Sequence, residues 1–386
     1  MTPANVTARK IAVFLPSLDG GGAERVFAEL CGEFATLGFA VDLVLATVRG
    51  PYLAEVSPRV RIVDLRAGGV LTSLPRLVRY LRAERPDVIL SGLDHANIGA
   101  IIACAVAGGR TRCVISMRSV PTVVNEVDWS LRGWTTLQIA KFVYRYADAI
   151  IGNARAVVDD LDSFRRVAPN KVSVIYNPLD LERIVLASQA VVDNPWLAEG
   201  APPVVLSVGA LTVRKDFPTL IRAFALVRAQ RNCRLVILGE GPDRAALQSL
   251  VRTLGIEAEV ILPGFVENPF AWMRRARMFV SSSLNEGCPN ALMQALACGT
   301  PIVSTACPGG SAEILEDGKW GRLVSMGDAG AMAEAILASI AATNHLDVQQ
   351  RAADFALASI AREYLRILLP GRMSAERQST SAEHQS

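Results

Sequence analysis

Residues 281–305 read SSSLNEGCPNALMQALACGTPIVST, and one acid, Glu286, stands in the polar turn between an apolar strand and a helix. The helix starts after Pro289 and stops before Gly299, the common pairing of a proline at the first turn with a glycine past the last. A carboxylate beside a helix start can simply stabilise the helix dipole. It can also accept hydrogen bonds from hydroxyls of a ligand held at the same place. Gln294 follows eight residues later, a little over two helical turns, so its side chain shares the ligand-facing edge and offers both a donor and an acceptor. Two polar groups around a row of helix-start amides suit a polyhydroxylated, phosphorylated ligand.

Other loops carry similar chemistry. Arg214 and Lys215 follow the apolar run VVLSV and precede a helix, where adjacent cations can neutralise a diphosphate; the plain alternative is a solvated surface pair. Gly20, Gly21 and Gly22 open a helix after the first apolar run, and such a loop lets a phosphate approach the helix amides. A tight strand-to-helix turn accounts for the same glycines, and no Gly-x-Gly-x-x-Gly dinucleotide fingerprint is formed. Gly309 and Gly310, in CPGGS, make a further turn where a sugar can lie close to the backbone. Asp94 and His95 (SGLDHANI) and Arg118 (ISMRSVP) also stand at strand ends, although a structurally bonded imidazole explains His95 equally well. No Asp-x-Asp pair lies near a strand end, so neither an obligatory metal nor a resident cofactor is expected.

The elements that must hold these loops are short Val/Ile/Leu runs separated by helix-length segments. The runs fall at 10–15, 41–48, 87–92, 112–116, 148–153 and 171–177, then restart at 204–209, 234–241, 259–264, 277–283, 301–305 and 321–325. Continuous apolar strands alternating with helices indicate parallel sheets covered on both faces. The expected class is therefore α/β, with two doubly wound Rossmann-like domains facing across a cleft, and ligands beyond the carboxyl ends of the strands. Residues 1–180 form the first domain, 181–202 a Pro-containing linker, 203–370 the second domain, and 371–386 a polar, disordered tail.

At 386 residues, with 51% hydrophobic and 20% charged residues, the chain exceeds what one core usually organises. Its seven cysteines lack metal-ligand spacing and mostly sit in apolar segments, which points to reduced thiols and a cytoplasmic protein. No run of apolar residues is long enough to cross a membrane. The net charge of +3 is uneven: residues 1–177 hold 21 Lys+Arg against 16 Asp+Glu (+5), and the remainder 19 against 21 (−2). That excess favours an anionic partner or membrane surface for the first half and gives no sign of nucleic-acid binding.

Taken together, these segments resemble the retaining glycosyltransferases of family 4, which have the GT-B fold. The resemblance is carried by the turn-and-helix pattern ending in ALACGTPIV, and by GGAERV, IYNPLD, KDFPTLIRAF, LGEGP, LPGFV and EILEDG in that order, over roughly residues 10–340. It implies that Glu286 contacts hydroxyls of the transferred sugar and that position 294, a second Glu in the family and Gln294 here, binds the nucleotide ribose. It further implies that Lys215 binds the diphosphate, that Gly264, Phe265 and Val266 hold the base, and that Gly21 and Gly22 approach the donor phosphates. Gly287 and Asn290, beside the acid, join the same substrate-binding set. An arginine usual in the Lys215 motif is replaced by Ala210, so either Arg214 substitutes for it with different geometry or the site leans on Lys215 and backbone amides.

The implied reaction moves a sugar from a nucleotide-diphosphate sugar to a hydroxyl with retained configuration, and no second acid stands where a hydrolase would need one. A sugar-nucleotide epimerase, a catalytically silent binding protein and, last, a nicotinamide enzyme are the competing readings. Arg76, Arg79 and Arg82 at helical spacing and the pair Trp129 and Trp134 beside Arg132 are candidate contacts with an anionic membrane. With the basic first half they favour a glycan or lipid-linked acceptor at the cytoplasmic face.

Overall fold

The computed structural model describes residues 9–19, 21–120, 131–164, 167–343 and 346–370. It divides into two units, Met1–Pro178 with Leu357–Ser386, and Leu179–Ala356. The segment 371–386, expected to be a polar tail, lies outside the described residues, as do Trp129 and Ser130.

In the first unit the strands are β1 (Lys10–Leu15), β2 (Ala40–Leu45), β3 (Arg61–Asp64), β4 (Val88–Gly92), β5 (Arg112–Met117), β6 (Ala149–Gly152) and β7 (Val172–Val174). They pair in parallel in the order β3-β2-β1-β4-β5-β6-β7. β1 and β4 are almost wholly buried, as continuous apolar runs covered on both faces must be. β3 is different. Its residues are largely exposed, and Arg61 ties it to β2 by two hydrogen bonds to buried Asp42, Nε at 2.7 Å and Nη2 at 2.6 Å. Tyr80 closes this network with a 2.6 Å bond to the same carboxylate.

The second unit holds β8 (Val204–Val208), β9 (Arg234–Leu238), β10 (Val260–Gly264), β11 (Met278–Ser281), β12 (Ile302–Thr305) and β13 (Arg322–Val324), parallel in the order β10-β9-β8-β11-β12-β13. Both sheets are doubly wound, as the alternating runs require.

The division of the chain departs from the sequence reading at both boundaries. Residues 181–202 are not a free linker: Asp180 caps the helix Leu181–Ser188 through the Arg183 amide at 3.0 Å, Ile184 is buried, and Asn268 Nδ2 donates to the Ala187 carbonyl at 2.8 Å. They belong to the second unit. The last helix, Leu357–Leu368, belongs to the first, because Ile360, Ala361, Tyr364, Leu365 and Leu368 form one apolar stripe that packs with Ile11, Val13, Phe34 and Leu43. The two crossings lie side by side, with the Leu179 amide donating to the Phe355 carbonyl at 2.7 Å.

Candidate active site

In a parallel sheet of this kind the favoured ligand position is beyond the carboxyl ends of the strands where the strand order reverses. In the second unit that point lies between β8 and β11, and the two loops leaving these strands carry Lys215 and Glu286. After β8 the chain forms a tight turn, Val213–Lys215, and Asp216 takes a left-handed conformation (φ 46°) to start the helix Phe217–Arg228. After β11 the next loop locks onto that turn. The Leu284 amide donates to the Arg214 carbonyl at 2.8 Å, and the Ser282 hydroxyl to the Lys215 carbonyl at 2.7 Å. These bonds hold the turn that carries Lys215 and the loop that carries Glu286 in register.

The Glu286 side chain is buried and richly bonded. Lys215 Nζ donates to Oε1 in a short ion pair, Ser283 Oγ donates to the same oxygen at 2.8 Å, and Arg214 Nη1 lies 3.7 Å from Oε2. Burial pushes the carboxyl up, but the charges of Lys215 and Arg214 with the bonds from Lys215 and Ser283 outweigh it and hold the group below its usual range. An ionised, acceptor-only carboxylate next to two cations is therefore present at neutral pH. Ser283, inside the run SSS, was not singled out from the sequence, nor was Asn285, which is buried with no partner for its amide nitrogen among the described residues.

Two glycines shape this site. A Cβ on Gly209 would stand 3.1 Å from Lys215 Cε, so the missing side chain makes room for the lysine stem. Gly309 has φ 119°, and a Cβ there would stand 1.4 Å from the Glu286 carbonyl oxygen. The Glu286 amide donates to the Pro308 carbonyl at 3.0 Å and the Gly310 amide to the Gly287 carbonyl at 2.7 Å. Gly309 and Gly310 are both buried, and the close approach of Gly309 to the acid's own turn explains its residue type without a sugar lying on it.

The other residues are spread around the same rim. Asn290 and Gln294 are half-buried on the helix Asn290–Ala297, whose Leu292, Met293 and Leu296 enter the core. Gly264 has φ 100°, Phe265 is 75% exposed and Val266 half-buried, all at the end of edge strand β10. Ala210 is exposed, and Arg214 is the second cation near the acid.

In the first unit the strand order reverses between β1 and β4. The loop after β1 brings Gly21 and Gly22 to the start of the helix Gly22–Thr36, where Glu24 folds back so that a Cβ on Gly21 would be 2.1 Å from its Oε2. Beyond β4 and β5 a cavity of about 290 Å³ is lined by Asp94, His95, Arg118 and Tyr144 with apolar Leu137 and Phe164. Tyr144 donates to Asp94 Oδ1 at 3.1 Å; burial raises the Asp94 carboxyl, against that bond and the neighbouring His95. Partial burial lowers the His95 imidazole, while Asp94 and Glu24 pull it upward. Tyr144 was not anticipated, although a buried tyrosine must find a partner for its hydroxyl.

The membrane candidates fare differently. Arg76 Nη1 donates to the Leu65 carbonyl and Arg82 Nη2 to the Val106 carbonyl, each at 2.7 Å, so two of the three arginines are already bonded to the protein. The helix Leu131–Val143 instead exposes Trp134, Ile139 and Phe142, with Tyr146 beyond its end. Among the described residues no helix is long and apolar enough to cross a membrane.

Family models match both units: residues 20–183 match the model described as Glycosyltransferase Family 4, and residues 202–342 that described as Glycosyl transferases group 1. The chain is 30% identical over 335 residues to the N-acetylgalactosamine-N,N'-diacetylbacillosaminyl-diphospho-undecaprenol 4-alpha-N-acetylgalactosaminyltransferase of Campylobacter jejuni, covering 84% of this chain and 88% of that one. It is 28% identical over 323 residues to the lipopolysaccharide core biosynthesis glycosyltransferase LpsE of Rhizobium meliloti, covering 82% and 84%. Among solved structures, HepE of Anabaena in complex with UDP superposes with a TM-score of 0.72 at 20% identity, over 96% of this chain and 100% of that one. With two parallel Rossmann-like units matched over nearly their whole length, the architecture is the GT-B fold, and the chain belongs to the family 4, group 1 glycosyltransferases.

Proposed function

We propose that this glycosyltransferase moves a sugar, with retained configuration, from a nucleoside-diphosphate sugar held by the second unit to a hydroxyl of a lipid-linked glycan precursor held by the first. The observation that carries this reading is the buried, ionised Glu286 clasped by Lys215 and Arg214 at the reversal of strand order. Glu286 accepts hydrogen bonds from hydroxyls of the transferred sugar, and the two cations stabilise the negative charge that grows on the departing diphosphate. The bond from the anomeric carbon to the diphosphate oxygen breaks and the bond to the acceptor oxygen forms on the same face. The acceptor's proton passes to the leaving phosphate, so the site needs no second carboxylate. Gln294 bonds the ribose as a neutral counterpart of a glutamate.

The UDP bound by the Anabaena neighbour makes uridine donors the first to test, and the diphospho-undecaprenol substrate of the Campylobacter relative supports a polyprenyl-linked acceptor. The exposed Trp134, Ile139 and Phe142, with Lys141 and Arg145 close in sequence, suit contact with an anionic membrane at its cytoplasmic face. The test is incubation of α-linked UDP-sugars with a polyprenyl-diphosphate-linked sugar, product detection by mass spectrometry and anomeric assignment by NMR. An α-linked product is expected, with Glu286→Gln about 100-fold slower or worse while its melting temperature shows an intact fold. A β-linked product would overturn retention, and free epimerised sugar nucleotide without transfer would favour an epimerase.

A further inference from the structure

Arg118, immediately after β5, is anchored on one side only. Its Nη1 donates to the Tyr364 hydroxyl at 3.2 Å and, at the limit of hydrogen bonding, to Ser116 Oγ at 3.5 Å, and its guanidinium carbon lies 4.9 Å from the Phe27 ring centroid. Nε and Nη2 are buried and have no hydrogen-bond partner among the described residues. These two nitrogens form the side-on fork of a guanidinium, the edge whose parallel N–H groups match two oxygens of one oxyanion. A cation stacked on an aromatic ring and pinned through its third nitrogen has lost its rotamer freedom in advance, so the fork is preorganised. Leaving two buried charged donors unbonded is costly, and proteins keep such an arrangement where a ligand completes it.

The residue lines the cavity described above, which is comparable with the smaller ligand pockets of proteins. On the same walls Asp94, already bonded by Tyr144, can accept from a hydroxyl, while Leu137 and Phe164 offer apolar surface. Among the described residues Arg118 takes part in no ion pair, with Asp94 or with any other acid. A ligand with hydroxyls for Asp94 and an oxyanion for the fork meets both demands. We propose that the free edge of Arg118 is the oxyanion-recognising element of an acceptor subsite in the first unit, and that it takes a phosphoryl group attached to the acceptor sugar. The inference rests on the transfer reaction proposed above and narrows its acceptor to the sugar phosphates.

The test is calorimetric titration of the full chain with N-acetylglucosamine 1-phosphate and with the neutral methyl glycoside of the same sugar, both under saturating UDP. The wild type is expected to prefer the phosphate by about tenfold or more, and Arg118→Lys, which keeps the charge but loses the fork, to abolish that preference without changing UDP affinity. An unchanged preference in a folded Arg118→Lys variant would overturn the proposal, and so would displacement of the phosphate probe by UDP, which would assign the fork to the donor. Should the variant fail to fold, the wild type still decides: phenylglyoxal modification of Arg118, read by peptide mass spectrometry, must be slowed by the sugar phosphate and not by the glycoside. Failure to bind any nucleoside diphosphate would instead count against the transfer reaction, and leaves the phosphate titration, repeated without UDP, as an independent result.

Discussion

At the scale of single residues, the Lys215–Glu286 pair is a structural contact that the proposed reaction also uses, and the two roles place opposite demands on it. A buried ion pair with its hydrogen bonds satisfied tolerates removal of neither partner, whereas a donor diphosphate must be able to share the lysine. In that reaction Ser283, bonded at 2.8 Å to the same oxygen as Lys215, and Arg214, 3.7 Å from the other oxygen, would still hold the carboxylate when Lys215 turns to a phosphate. The consequence for pH follows from the direction of the shift. A carboxyl held below its unfolded value contributes stability that is present above the ordinary carboxylate range and disappears as pH falls through its folded value. Lys215→Ala removes the nearest cation and leaves burial opposed only by Arg214 and Ser283, which moves the carboxyl up. The variant should be less stable than the wild type by about 2–4 kcal/mol near pH 7, with the gap narrowing as pH falls through the ordinary carboxylate range and closing only below it, where Glu286 is protonated in the wild type too. Thermal melts across that range check it, and a pH-independent gap would show that Lys215 acts through packing alone.

At the scale of elements, the site depends on loops whose backbones bond to one another, and this is where reading the sequence reached its limit. Buried parallel strands such as β1 and β4 are legible because every residue is apolar, and the loops after them follow directly. β3 was not read as a strand: RIVD has no apolar run, and what holds it is the contact of Arg61 with an aspartate 19 residues earlier. The glycines show the same limit. From the sequence Gly309 reads as a place for a sugar, and its packing against the Glu286 carbonyl is seen only in the structure. Gly309→Ala should therefore cost at least about 1–3 kcal/mol from its left-handed conformation alone, and more from the clash, and should displace the acid. Gly209→Ala meets only the movable stem of Lys215, so it should leave the melting temperature nearly unchanged while weakening nucleoside-diphosphate affinity. Paired melts and UDP titrations of the two variants test this, and the reverse pattern would contradict the assigned supports.

At the scale of the whole molecule, chain order and folding unit do not coincide. A sequence reading places residues 357–370 with the domain that precedes them, since nothing local marks the return crossing at Ala356. The apolar stripe of the last helix is visible in the sequence, but a stripe does not say which surface it covers. It covers the first unit, where Arg112 Nε also donates to the Ile367 carbonyl at 3.3 Å. Burying Ile360, Leu365 and Leu368 contributes about 1.5–3 kcal/mol for each, an upper estimate in total but comparable with the whole stability of many domains. Residues 1–178 alone should therefore be insoluble or melt without cooperativity, and a chain ending at Ala356 should keep only the transition of the second unit. Because Leu179 and Phe355 are hydrogen-bonded neighbours, a short flexible link can join residue 178 to residue 357 and should restore a cooperative first unit. Circular dichroism melts of the two fragments decide the matter: if residues 1–178 melt as sharply and at the same temperature as the rejoined form, the last helix is an ornament of the first unit rather than part of its core.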